Sequence, residues 1–194
     1  MDIEVASRGF DDRIRWDPAL IRKYDVAGPR YTSYPTALQF AEGFGSREYE
    51  QYLLERPPVI GPLSLYVHIP FCRNICYYCA CNKIVTRDAA VAERYIVALE
   101  KEIALLAHHH DQRRRVTQLH WGGGTPTFLS PSELTRLMHG LARHFSLIDA
   151  PEREYSIEID PRSVDTGTIA LLKGLGFNRI SMGIQDFDPQ VQRA

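Results

Sequence analysis

The chain has 194 residues, of which 44% are hydrophobic and 24% charged, a composition typical of a globular protein with one sizeable core. Lysine and arginine (23) nearly balance aspartate and glutamate (24), so net charge does not favour nucleic acid or an anionic membrane as a partner. No run approaches the roughly 20 apolar residues of a membrane span, and the first residues lack the apolar run of a secretory signal, so we expect a cytoplasmic protein.

Residues 1–60 are predicted to form an N-terminal arm rather than an independent core. Short helices are predicted at Pro18–Tyr24 and Ser46–Glu55. Between them, the run GPRYTSYPT (Gly28–Thr36) contains two prolines and a glycine, which favours an ordered extended segment.

Strands and helices alternate over residues 61–194. Short apolar or alternating runs predict four strands: LSLYVHI (Leu63–Ile69), VTQLHW (Val116–Trp121), YSIEID (Tyr155–Asp160) and NRISMGI (Asn178–Ile184). Helical spacing and capping signals predict helices at Ala89–Ala107, from Ser130 to about Phe145, at Asp165–Leu175, and from Pro189 onward. This order predicts an α/β fold with parallel strands, a partial (β/α) barrel of about four βα units. Its fourth strand would be an open edge, which indicates the front part of a longer barrel.

Four cysteines lie within ten positions, directly after the first predicted strand: Cys72, Cys76, Cys79 and Cys81. Clustered thiols in a reducing compartment indicate a metal site rather than disulfides. The spacing Cys72-x3-Cys76-x2-Cys79 suits three irons of a [4Fe–4S] cluster and leaves the fourth iron without a protein ligand. The alternative is a structural zinc site made by all four cysteines, which the close spacing of Cys79 and Cys81 disfavours.

Glycines and polar residues follow the later strands, and ligands bind at the carboxyl ends of parallel strands. The run GGGTP (Gly122–Pro126) is neither a dinucleotide fingerprint nor a P-loop, so it predicts a tight turn or a cradle that a ligand can approach closely. In the third strand Glu158 and Asp160 share one face, which points into a barrel or outward from a surface strand. His68 and His120 end strands near this region, and a structural role is the favoured interpretation for both.

Five segments resemble the oxygen-independent coproporphyrinogen III oxidases, a family of the radical S-adenosylmethionine (SAM) superfamily. In chain order they are GPRYTSYPTA, YVHIPFCRNICYYCACNKIVTR, LHWGGGTPT, SIEIDPR and FNRISMGIQDF. The resemblance runs from about Trp16 to the end of the chain, and it departs at Ala80, where glycine is expected. The family's proteins are more than twice this length, so the resemblance implies the N-terminal portion of a radical SAM barrel. We expect this piece alone to be inactive.

The resemblance also implies a set of site residues. Cys72, Cys76 and Cys79 would bind the [4Fe–4S] cluster, whereas Cys81 would lie near the cofactor or serve as a small hydrophobic residue. The residues implied to contact SAM are Tyr66, Tyr78, Gly123, Gly124, Thr125, Glu158 and Gln185. Among them Glu158 would accept hydrogen bonds from a ribose and Gln185 would contact a second SAM molecule. From the residues alone, both tyrosines are equally well interpreted as core aromatics.

The family's reaction is the oxidative decarboxylation of coproporphyrinogen III to protoporphyrinogen IX by a 5′-deoxyadenosyl radical mechanism, in oxygen-independent heme biosynthesis. It implies an electron-donor protein as partner, no nucleic acid or membrane partner, and a monomer at full length. Two alternatives stay open. Related heme chaperones bind heme and hand it on, but we expect them to lack Cys81 and the GPRYTSYPT segment. A zinc-stabilised interaction module would use the cysteines for structure.

Overall fold

The computed structural model describes five stretches of the chain: residues 16–27, 36–55, 61–77, 79–111 and 113–193. They fall into two units, residues 1–49 and 50–194. Helix α1 spans Pro18–Tyr24, as predicted, and begins at Asp17, whose carboxylate accepts hydrogen bonds from the first-turn amides. Helix α2 spans Ser46–Glu55, also as predicted. The predicted extended segment lies, except for Thr36, outside the described residues.

The second unit is built on a parallel sheet. Its strands in chain order are β1 (Leu63–Ile69), β2 (Phe71–Cys72), β3 (Ile84–Val85), β4 (Arg115–Gly123), β5 (Ser146–Leu147), β6 (Glu154–Ile159) and β7 (Arg179–Met182). Its helices are α3 (Ala90–Ala107), α4 (Pro131–His144) and α5 (Thr166–Gly174). The main sheet has the order β1–β4–β6–β7, with β5 also paired to β4, and all its pairings are parallel. The predicted α/β fold is confirmed, and the open sheet is that of a partial barrel.

Three features differ from the sequence-based prediction. Strands β2 and β3 form a separate parallel pair that encloses the cysteine loop, and β5 adds a short strand beside β4. Two-residue strands carry no periodicity that a sequence could display. The helix predicted from Pro189 is wrong, since the described residues form only a single 3-10 turn at Val191–Arg193.

The helix ends confirm the predicted capping signals. Ser130 Oγ accepts a hydrogen bond from the Glu133 amide (3.3 Å), and the Ser130 amide donates to Glu133 Oε2 (2.7 Å), which completes a capping box at the start of α4. Gly176, just after α5, has φ of +96°, a backbone conformation that glycine adopts without strain. Among the described helices, none has the length and apolarity to cross a bilayer.

One core joins the apolar face of the sheet to the helices. Tyr155, Ile157 and Ile159 of β6 are buried, as are Trp121 of β4 and Leu137 of α4. Burying one such aliphatic side chain contributes about 1.5–3 kcal/mol. Because side chains alternate along a strand, the residues between these core positions point to the other face of the sheet, called here the polar face.

Helices α3 and α4 are joined by an ion pair whose contribution should depend on pH. Arg136 donates to both carboxylate oxygens of Glu100, at 2.8 and 2.6 Å, and to Glu93 at 2.7 Å. The hydrogen bond from Arg136 is the main reason why the pKa of Glu100 lies below its ordinary value. A lowered pKa stabilises the fold above the pKa of an unfolded glutamate, about 4.3, and this stabilisation is lost as pH falls through the folded pKa.

We therefore expect Glu100→Gln to lower the free energy of unfolding by about 0.5–1 kcal/mol at pH 7, a small effect because the pair is partly exposed. The difference from the unmodified protein should shrink as the pH falls below about 4. Urea unfolding of the full-length protein measures both values. Glu102→Gln, on an exposed position of α3, is the matched control. A difference that grows on acidification would contradict the assignment.

Candidate functional site

Strand register brings polar side chains of β1, β4 and β6 together on the polar face. Tyr66 of β1 pairs with His120 of β4, and His120 pairs with Ser156 of β6. One step further along, His68 pairs with Gly122, and Glu158 follows Ser156 by two residues on the same face. The carboxyl ends of the three strands therefore present two neighbouring rows of polar groups.

Glu158 is held by groups from β4. The ring of Tyr66 stacks on His120, with centroids 5.7 Å apart and planes at 21°. His120 Nδ1 lies 2.6 Å from Ser156 Oγ, and its Nε2 lies 3.4 Å from Glu158 Oε1. The Gly123 amide donates to the other carboxylate oxygen, Oε2, at 3.1 Å. Because an ionised carboxylate only accepts hydrogen bonds, we assign the proton of His120 to Nε2 and the Ser156 hydroxyl as donor to Nδ1.

A second hydrogen-bonded group connects β1 to the cysteine loop. The Nε2–H of His68 donates to the carbonyl oxygen of Asn82 (2.9 Å), so Nδ1 accepts from the Tyr66 hydroxyl (3.0 Å). Partial burial raises the pKa of Tyr66, and the negative charges of Glu158 and Cys81 add to the shift. Tyr66 therefore stays protonated at neutral pH, and both ring nitrogens of His68 are occupied, consistent with a structural role for that histidine.

The glycine run after β4 packs closely against the chain itself. Gly123 has φ of +113°, and a Cβ there would lie 2.6 Å from the His68 ring. A Cβ on Gly124 would lie 2.8 Å from the backbone of Pro70 and Phe71. The amides of Gly124 and Thr125 donate to the Ile69 and Phe71 carbonyl oxygens, both at 2.8 Å. These glycines therefore let the loop after β4 lie directly on the chain segment that leads to Cys72.

The four cysteines carry free thiols on the loop that β2 and β3 enclose. Cys72 is half-buried, with Sγ 3.6 Å from Thr125 Oγ1, Cys79 is also half-buried, and Cys76 and Cys81 are exposed. Over the described ranges, no three His, Cys, Asp or Glu side chains converge as a metal-binding group. The donor set nonetheless fits a cubane with one open iron, since three thiols at the required spacing lie on one loop beside the polar face.

The other predicted site residues fall into two groups. The structure brings Tyr66, Gly123 and Glu158 together on the polar face, with Gly124 and Thr125 at its edge. Tyr78 lies outside the described residues. Gln185 follows the end of β7, where its side chain lies over Gly183, and within the described chain it is not hydrogen-bonded to the polar-face group.

Two residues that shape this site have no role predicted from the sequence: Ser156 and Arg162, which stand there only within the SIEIDPR segment. Arg162 binds the Asp160 carboxylate (2.8 Å), which is the main cause of its raised pKa, and the Cys76 thiol adds a smaller effect. The two-residue period of β6 marks Ser156 as a partner of Glu158 on one face, but Arg162 carries no such signal.

Tyr95 of α3 fixes the end of β1 at this site. Its hydroxyl donates to the His68 carbonyl oxygen at 2.6 Å, and its ring packs edge-on against Phe71 with centroids 5.4 Å apart. We expect Tyr95→Phe to lower the free energy of unfolding by about 1 kcal/mol, because the ring is kept and one part-buried hydrogen bond is lost. Urea unfolding of the full-length protein tests this, with Tyr52→Phe at an exposed position of α2 as control. Equal midpoints for the two variants would contradict it.

Comparison with known proteins identifies a superfamily for the chain. The radical SAM superfamily profile matches residues 66–194. Proteins named oxygen-independent coproporphyrinogen III oxidase are similar to the chain: that of Pseudomonas aeruginosa is 55% identical over 183 residues, covering 94% of the chain and 40% of the relative. That of Mannheimia haemolytica is 49% identical over 148 residues, covering 76% of the chain and 98% of the relative.

A solved structure gives the same result. Coproporphyrinogen III oxidase from Escherichia coli, described as a radical SAM enzyme, superposes with a TM-score of 0.76 at 50% sequence identity, and the match covers 93% of this chain and 39% of that one. The chain thus spans about two fifths of the length of the P. aeruginosa and E. coli relatives. The chain belongs to the radical SAM superfamily and, within it, to the family of oxygen-independent coproporphyrinogen III oxidases.

Proposed function

We propose that the full-length protein catalyses the oxidative decarboxylation of coproporphyrinogen III to protoporphyrinogen IX, in oxygen-independent heme biosynthesis. The observation that supports this most strongly is the 55% identity, over 94% of the chain, to a relative that bears the name of this activity. The neighbouring cysteine loop and polar face support it further, because the reaction requires a cluster and a nucleoside cofactor side by side.

Membership of the radical SAM superfamily implies a [4Fe–4S] cluster and SAM as cofactors. We propose Cys72, Cys76 and Cys79 as the cluster ligands, since their loop is enclosed by β2 and β3 and Cys72 lies beside Thr125. Bound beside that cluster, SAM would supply the radical chemistry that removes a hydrogen atom from each substrate propionate before carbon dioxide leaves.

The polar face would bind SAM. Glu158 would accept hydrogen bonds from ribose hydroxyls, because its oxygens face a partly open surface and are held in place by His120 and the Gly123 amide. Tyr66, protonated at neutral pH, would present its ring and hydroxyl beside them. The complete set proposed to contact SAM is Tyr66, Tyr78, Gly123, Gly124, Thr125, Glu158 and Gln185, with Gln185 assigned to a second SAM molecule.

The remaining partners follow from the reaction. Reductive cleavage of SAM requires a one-electron donor protein, and the oxidised propionate must pass an electron to an acceptor. We propose that the full-length protein acts as a monomer in the cytoplasm, without a nucleic acid or membrane partner. A reducing compartment suits a loop of four free thiols.

Anoxic turnover of the full-length protein tests this function. The reconstituted protein, given a reductant, SAM and coproporphyrinogen III, should form protoporphyrinogen IX and 5′-deoxyadenosine, measured by fluorescence chromatography and mass spectrometry. Omitting SAM should abolish both products. Stoichiometric heme binding without decarboxylation would instead identify a heme chaperone, and stoichiometric zinc without iron would identify a zinc-stabilised module.

A further inference from the structure

We infer that His120 is a positioning residue: it orients the Glu158 carboxylate to accept hydrogen bonds from the vicinal hydroxyls of a nucleoside, here the ribose of SAM. The inference rests on the proposed function, which supplies the ligand. It assigns a role to a histidine for which the sequence favours only a structural interpretation.

The contact between His120 and Glu158 depends on the absence of a side chain at Gly122, which lies between them. A Cβ on Gly122 would lie 2.9 Å from His120 Nε2 and 3.1 Å from Glu158 Cδ. The two side chains therefore meet directly over Gly122, where no other side chain intervenes. This approach brings Nε2 within 3.4 Å of Oε1.

His120 is itself fixed on two sides. Ser156, which is buried, bonds to Nδ1 at 2.6 Å, and Tyr66 stacks on the ring. The hydroxyl selects the tautomer that carries its proton on Nε2, directed at Glu158. Strand register sets both contacts, since Tyr66, His120 and Ser156 are direct cross-strand neighbours.

His120 and the Gly123 amide each hold one oxygen of the Glu158 carboxylate, and so determine which lone pairs remain for a ligand. The Gly123 amide occupies one side of Oε2 and His120 one side of Oε1, while the side chain of Glu158 stays 41% exposed. Because a carboxylate has about four lone-pair positions, these two contacts leave the others free to accept hydrogen bonds from a ligand. Without His120, only the Gly123 amide would hold the Glu158 carboxylate. SAM binding would then have to order the carboxylate, which lowers the affinity.

Paired ligands separate this role from a purely structural one. The full-length, cluster-loaded protein is titrated under anoxic equilibrium dialysis with SAM and with its 2′-deoxyribose analogue. His120→Phe keeps an aromatic ring beside Tyr66 but removes both hydrogen bonds. We expect it to weaken SAM binding about tenfold and binding of the analogue by less than about twofold. His120→Gln, which retains an N–H donor that can reach Glu158, should recover most of the affinity for SAM.

Equal weakening for both ligands, or no weakening for SAM, would overturn the inference. If His120→Phe fails to load the cluster, Ser156→Ala provides the same test. It removes the hydroxyl that fixes the His120 ring but keeps the imidazole itself. We expect SAM binding about threefold weaker and binding of the 2′-deoxyribose analogue nearly unchanged; equal weakening for both ligands would again overturn the inference. An unmodified protein that binds no SAM would instead refute the proposed function.

Discussion

Gly124→Ala is expected to destabilise the full-length protein by about 3 kcal/mol and to prevent normal loading of the cluster. The added Cβ would lie 2.8 Å from the Phe71 carbonyl oxygen and from the Pro70 carbonyl carbon. Both are backbone atoms, so no side chain can rotate away to relieve the contact. The segment that joins β1 to β2 would have to move, and two short hydrogen bonds hold it there: Gly124 to Ile69 and Thr125 to Phe71.

The effect should reach the cysteine loop because Cys72 follows Phe71 directly and contacts Thr125. Urea unfolding gives the loss of stability, and iron content after anoxic reconstitution gives the loss of cluster. The matched control is Gly140→Ala in α4, where a Cβ meets no atom within 4 Å. That change should stabilise the protein by about 0.5–1 kcal/mol, because alanine favours a helix over glycine. Unchanged stability and full iron content in Gly124→Ala would contradict the packing shown here.

The elements that could be predicted from sequence are those with local signals. Helix α4 illustrates this, because Ser130, Pro131 and Glu133 form a capping signal within four residues, and the structure begins the helix there. The alternation of β6 likewise predicts a buried face with Ile157 and a polar face with Glu158, and both are observed. The cysteine spacing is local as well, which is why it predicts the kind of metal site.

The contacts that organise the site could not be predicted, because they join residues far apart in the chain. His120 and Ser156 are 36 residues apart, and only the register between β4 and β6 makes them neighbours. The pairing of β2 with β3 depends on how the cysteine loop folds back, and two-residue strands leave no pattern. A single sequence predicts that polar residues gather at strand ends, but not which atoms meet.

Two cysteines on the same loop, Cys79 and Cys81, should respond differently to substitution. The unmodified protein should bind about four irons per chain, and we expect Cys79→Ser to lose most of them and to show no detectable turnover. Cys81→Ser should keep the cluster and its response to SAM. The two thiols are separated by one residue and differ in environment. A hydrogen bond from the Cys81 amide is the main cause of the lowered pKa of Cys79, and Lys83 adds to it.

Cys81 has the opposite environment. Burial raises the pKa of its thiol, and the negative charges of Cys79 and Glu158 raise it further. Because thiolates bind iron, these opposite shifts favour Cys79 over Cys81 as the ligand. Iron and sulfide analysis, with electron paramagnetic resonance of the reduced protein before and after adding SAM, compares the variants directly. Equal loss of iron in both variants would show that all four cysteines hold the metal, which leaves no open iron for SAM. A signal that still changes on adding SAM to Cys81→Ser would show that three cysteines are sufficient to hold the cluster.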